Sequence, residues 1–141
     1  MLKFILLLIV LLALNACGSS RTVREEGVIS SYGSAEEVIR APNTVQADET
    51  FTVTVRTYGD GCVEADDMEV TITNNLAILT PYDLREVGGD PCPSIEKRPE
   101  HTAQIVFEEL GVATLRVKGM LRDSANPEGV MTTIEKTVQV E

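Results

Sequence analysis

Residues 69–80 read EVTITNNLAILT. Val70 and Ile72 alternate with Thr71 and Thr73, a period of two that sends successive side chains to opposite faces of a strand. Two asparagines follow, then a second apolar run. Asparagine tolerates positive φ, so Asn74-Asn75 reads as a two-residue hairpin loop between antiparallel strands. The same period recurs outward in both directions. Phe51, Val53 and Val55 alternate with Thr52, Thr54 and Arg56, and Met68 extends the row of Val70 and Ile72. Ala103, Ile105 and Phe107 share a face. Ala113, Leu115 and Val117 point one way, Thr114, Arg116 and Lys118 the other. Ile134, Val138 and Val140 repeat the pattern, and Lys136 on their face marks an edge or a bulge. No segment after Cys17 carries a helical stripe.

Turn signals separate these runs: Ala41-Pro42-Asn43, Gly59-Asp60-Gly61, Gly88-Gly89-Asp90-Pro91 and Asn126-Pro127-Glu128-Gly129. The pattern predicts about seven strands, near 36–41, 50–58, 67–73, 76–84, 102–108, 112–121 and 130–140. Short β-branched strands at regular spacing make residues 35–141 an all-β, antiparallel β-sandwich. Within it, residues 107–115, FEELGVATL, resemble the corner between strands E and F of immunoglobulin-like domains, where an acidic residue and a glycine precede an alternating strand. The resemblance implies an Ig-like sandwich of the broad bacterial kind. Ala113 stands where the corner tyrosine would be, and Leu115 where antibody domains have cysteine. Such a sandwich specifies no activity.

Lys3 precedes the run FILLLIVLLALNA, residues 4–16. The run falls short of the roughly 20 apolar residues a spanning helix needs, and a cation before a short apolar stretch is the layout of a secretory signal. Leu14-Asn15-Ala16-Cys17 at its end resembles the lipobox of bacterial lipoprotein precursors, with Asn15 a mild departure. The resemblance implies a signal peptide over 1–16 and a diacylglycerol thioether on Cys17. It also implies a cell-envelope protein whose first partner is the membrane. Gly18 in place of aspartate implies the outer membrane if the source is Gram-negative. The competing reading is an ordinary signal peptide with an incidental cysteine. Residues 17–34 are polar and Gly/Ser-rich and read as a tether, with a short edge strand at 27–32. Fully extended, residues 18–34 reach on the order of 55 Å.

The chain has 141 residues, a formal net charge of -10, a pI near 4.5 and no tryptophan. An acidic surface repels nucleic acid and anionic lipid. Export implies an oxidising compartment, where Cys62 and Cys92 pair and leave no cysteine over but Cys17. With strand 50–58 running up, 67–73 down and 76–84 up, both cysteines reach the same end of the sandwich. A disulfide there pins residues 85–100.

Candidate chemistry is sparse. Asp60, Glu64, Asp66 and Asp67, with Glu69 beyond them, crowd the loop before the third strand, and carboxylates so packed can hold Ca²⁺. Their spacing is not that of an EF-hand, and a solvated acidic loop is the preferred reading. His101 is the one histidine, too little for a zinc site or a serine-nucleophile constellation. Nothing calls for a cofactor. Tyr58 and Tyr82 end strands near the top, as binding anchors or as caps on the core. Strand counting gathers loops 59–66, 85–101 and 122–129 at this same end. Tyr58, Tyr82, Asp90 and His101 are therefore the candidate binding residues. The sequence thus describes a lipid-anchored, non-enzymatic binding or structural domain, its partner an unidentified envelope protein or glycan. A Ca²⁺-dependent adhesion domain and an inhibitor of an envelope enzyme are the alternatives.

Overall fold

The computed structural model describes residues 19–29 and 35–141. The signal peptide, the lipobox with Cys17, and residues 30–34, which include the end of the expected edge strand, lie outside them. The chain folds as β1 (Arg21–Glu26), a single helical turn α1 (Ala35–Val38), β2 (Ile39–Arg40), β3 (Thr44–Val45), β4 (Phe51–Arg56), β5 (Val63–Thr73), β6 (Leu76–Val87), β7 (Glu100–Ile105), β8 (Gly111–Leu121) and β9 (Val130–Val140). It is an all-β sandwich of nine strands. The larger sheet contains β5, β6, β1, β8, β9 and β3, and the smaller runs β2-β4-β7.

The Asn74-Asn75 hairpin forms as its residue types dictate. Thr73 pairs with Leu76, and Asn74 takes a φ of 51°. Alternation then fills the interior from both sheets. Val53 and Val55 of β4 and Ile105 of β7 meet Ala77 and Leu79 of β6, Ala113, Leu115 and Val117 of β8, and Val138 and Val140 of β9. Phe51 and Phe107 stack at 5.8 Å between ring centres beneath them. Each such valine, leucine, isoleucine or phenylalanine contributes roughly 1.5–3 kcal/mol when fully buried. The corner read at residues 107–115 does carry the chain from the smaller sheet to the larger, and Ala113 and Leu115 point into the core. Lys136 does lie at an edge: β3 covers β9 only at Gln139 and Val140.

The strand expected at 36–41 is instead the helical turn α1 followed by the two residues of β2, and three further features differ from the sequence reading. Two pairings are parallel, β3 with β9 and β6 with β8, in a sandwich expected to be antiparallel throughout. β5 begins at Val63 rather than 67, so Glu64, Asp66 and Asp67 stand on a strand that bulges between Ala65 and Met68. The third concerns the tether. Arg21–Glu26 pair antiparallel with Val87–Tyr82 of β6, which places the first strand well before residue 35. β8 holds β6 only over Leu76–Leu79, and β1 takes up the same edge of β6 beyond that point. Past β1, Val28 bridges Tyr58 and Met120 and Ile29 enters the core, tying the two sheets together. The close approach needs glycine. A Cβ on Gly119 would lie 2.7 Å from the carbonyl oxygen of Gly27, and one on Gly27 would lie 2.3 Å from Thr57 Cγ2. Among the described residues no helix is long and apolar enough to cross a membrane.

Candidate functional site

The end of the sandwich where β4 finishes and β5 starts collects the loops that strand counting assigned to it. Cys62 and Cys92 are joined in a disulfide with their Cα atoms 5.4 Å apart, across 30 residues of sequence. Gly61 donates to the carbonyl of Pro93, and Gly59 and Lys97 exchange backbone hydrogen bonds. The long 88–99 connection is thereby fastened to the 59–62 turn. A chain of charges runs beside it. Asp60 Oδ2 accepts from Arg85 Nη1 at 2.9 Å, Arg85 Nε donates to Glu25 Oε1 at 2.8 Å, and Arg122 lies 3.8 Å from the other oxygen of Glu25. Burial pushes the Asp60 carboxyl up. The hydrogen bond from Arg85 and the backbone N–H of Cys62 outweigh that and hold it below its usual value. Arg85 loses by desolvation and gains more from Glu25 and Asp60, so its guanidinium is held more firmly protonated than usual.

The acidic residues read as one calcium candidate are divided between two arginines. Asp60 belongs to Arg85. Asp66 and Asp67 belong to Arg24 of β1, whose Nε donates to Asp66 at 2.9 Å and whose Nη2 pairs with Asp67. Glu64 points out from β5. The four do not converge, and a cation would compete with two guanidinium groups for three of them. Asp60 also lies close to the sulfurs of Cys62 and Cys92. Those sulfurs are bonded to each other, so they offer no thiolate to a metal.

His101 is not at a surface. It points inward from β7 and is 2% exposed, because its position continues the buried row of Ile105 on a strand with period two. Asp83, 1% exposed, and Thr57, 0%, enclose it. His101 Nε2 lies 3.0 Å from Asp83 Oδ1 and 3.2 Å from Thr57 Oγ1, and the threonine hydroxyl donates to the same Asp83 oxygen at 3.0 Å. Hydroxyl, imidazole and carboxylate are the ingredients of a nucleophilic triad, but the geometry is not one. A relay needs the carboxylate on the ring nitrogen opposite the hydroxyl; here both oxygens face Nε2. Nδ1 is buried and has no partner among the described residues. The arrangement pairs the hydroxyl, the carboxylate and Nε2 with one another within the core and leaves none of them exposed. The sequence did carry a signal for it: Asp83 falls on the inward register of Ala77, Leu79 and Pro81 in β6.

Of the remaining candidates, Tyr58 packs half-buried against the core, with Arg98 over its ring. Tyr82 lies on the outer face of β6, its ring covered at 3.5 Å by the guanidinium of Arg24. Asp90 is exposed, in a groove with Ser20, Gly61, Glu86 and Pro93. Tyr58 and Asp90 thus stay near the end loops, Tyr82 is held by an internal cation–π contact, and His101 is interior. The fold and this end define a small disulfide-braced, salt-linked β-sandwich. Comparison with protein-family models, curated proteins and solved structures finds no match to the chain.

Proposed function

We propose that the protein is a lipid-anchored lipoprotein of the cell envelope, held through Cys17, whose sandwich is a non-enzymatic binding or structural domain. The observation that carries this is Leu14-Asn15-Ala16-Cys17 at the close of a thirteen-residue apolar run that follows a lysine. Two or three acyl chains at about 0.8 kcal/mol per buried CH₂ make such attachment lasting. The position of β1 gives the anchor a consequence. Four residue steps separate Cys17 from Arg21, where the fold starts, a reach of about 14 Å. Residues 19–20 lie against Gly88 and Gly89, so the disulfide-braced end would face the bilayer closely and the flanks and far end would face away. In Gram-negative cells Gly18 favours the outer membrane. The test is mass spectrometry of the protein from native membranes, with fractionation of the Cys17→Ser variant. A diacylglycerol thioether on Cys17 and release of the variant from the membrane are expected. A free thiol at Cys17, or unchanged membrane retention of the variant, refutes the reading.

A further inference from the structure

We infer that the cleft between β5 and β7 is a docking site for an extended segment of another protein, which adds as a fourth strand to the smaller sheet. The inference rests on the reading of the domain as a binding module and supplies its partner class. Val70 and Ile72 of β5 stand opposite Leu79 and Ala77 of β6, so they face the interior side of the larger sheet. They are nonetheless 36% and 41% exposed. The smaller sheet ends too soon to cover them: its last strand is β7, and among the described residues nothing pairs with the outer edge of β7. An apolar row beside a vacant backbone edge is the arrangement that strand addition requires. The edge supplies hydrogen bonds, and the row receives alternate side chains. The two edges also differ in protection. β5 carries a bulge and the charges of Glu64, Asp66, Asp67 and Glu69, devices that discourage pairing. The middle of β7, Thr102–Gln104, is uncharged.

Charge sets the direction. Glu108 and Glu109 line one cavity with Ile72, past the C-terminal end of β7, and Lys97 and Arg98 line a second with Val63 and Glu64, before its N-terminal end. A strand antiparallel to β7 would start at the glutamates and finish at the cations. The fitting partner therefore has alternating apolar residues, basic groups at its N-terminal end and a carboxylate at its C-terminal end. A second copy of the chain is the poorer occupant. Joining β7 to β7 would drive the two overhanging β5 strands into the same layer, where strands need about 4.8 Å each.

The probe is a short synthetic peptide of alternating valine and threonine led by two lysines, added to the full chain in detergent micelles and followed by amide hydrogen exchange. Exchange over residues 100–106 is expected to slow at least ten-fold. The effect should vanish when proline replaces the central residue of the peptide, and in Val70→Asp/Ile72→Asp. The double variant Glu108→Lys/Glu109→Lys, made only at exposed positions, should weaken it several-fold at low salt. No slowing over 100–106, equal slowing by the proline peptide, or a chain already dimeric with these amides protected would each overturn the inference. None of these outcomes depends on the state of Cys17, which the mass measurement reads separately.

Discussion

Replacing Asp83 by leucine tests the buried Thr57–Asp83–His101 network. One carboxylate oxygen accepts both from the Thr57 hydroxyl and from His101 Nε2, and all three residues are sealed from solvent. Leucine keeps much of the volume but accepts nothing; Thr57 Oγ1 and His101 Nε2, 3.2 Å apart, can still pair with each other, so one buried donor is left without an acceptor. A stranded buried group costs about 1–3 kcal/mol, so the single variant loses about that much. Against a domain stability of roughly 5–15 kcal/mol this is a large fraction. The triple variant Thr57→Val/Asp83→Leu/His101→Leu removes every side-chain polar group of the network at once, including the Nδ1 that has no partner among the described residues. It should lie within about 1 kcal/mol of wild type or exceed it, since apolar replacement of a whole buried network is often neutral or stabilising. Urea unfolding followed by circular dichroism measures both, with comparison at constant slope. The reasoning fails if Asp83→Leu costs under about 0.5 kcal/mol, or if the triple variant loses the sum of the three single losses.

Cys62→Ala/Cys92→Ala should lower stability by up to about 3.6 kcal/mol, the chain-entropy value for a 30-residue loop, and should open residues 88–99 to limited proteolysis. Unchanged cleavage there would mean the bridge does not hold the connection. Gly27→Ala forces a methyl to within 2.3 Å of the buried Thr57 Cγ2, and overpacking of this kind costs about 1–3 kcal/mol, read as a lower unfolding midpoint. Asp60 titrates below its ordinary 3.8 when folded. Its stabilising contribution is therefore complete above that value and is lost as pH falls through the folded one. Asp60→Asn should flatten the acid limb of a stability-versus-pH curve below about pH 3.8; an identical limb in both proteins would dissociate Asp60 from it.

What the sequence revealed follows from which interactions are local. β4, β6, β8 and β9 announce themselves because each buries one face, and burial of one face leaves a period of two in the residues themselves. Arg21–Glu26 left no such trace. That strand has one apolar residue, Val23, and it stays exposed. The strand is held by its backbone ladder with β6 and by Arg24 and Glu25, whose partners Asp66, Asp67 and Arg85 lie some 40 to 60 residues away. Read alone, RTVREE is a polar tether. Read with its partners, it is the strand that occupies the fork between β6 and β8. The acidic crowd of residues 60–69 hid its partners for the same reason. A carboxylate cluster is visible in the sequence, whereas the arginines that divide it come from β1 and β6. His101 shows the converse. Its chemistry marked it as a surface candidate, but its register on β7 places it inside, and period outweighed residue type. Val70 and Ile72 obey the period too, yet remain exposed, because whether a facing sheet extends far enough to cover them is a property of strand count in the other sheet. Alternation thus fixes the side of a sheet to which a side chain points, and only the neighbouring layer decides whether anything meets it there. The positions where those two answers part, on β5 above the free edge of β7, are where a binding surface can arise without any catalytic residue to mark it.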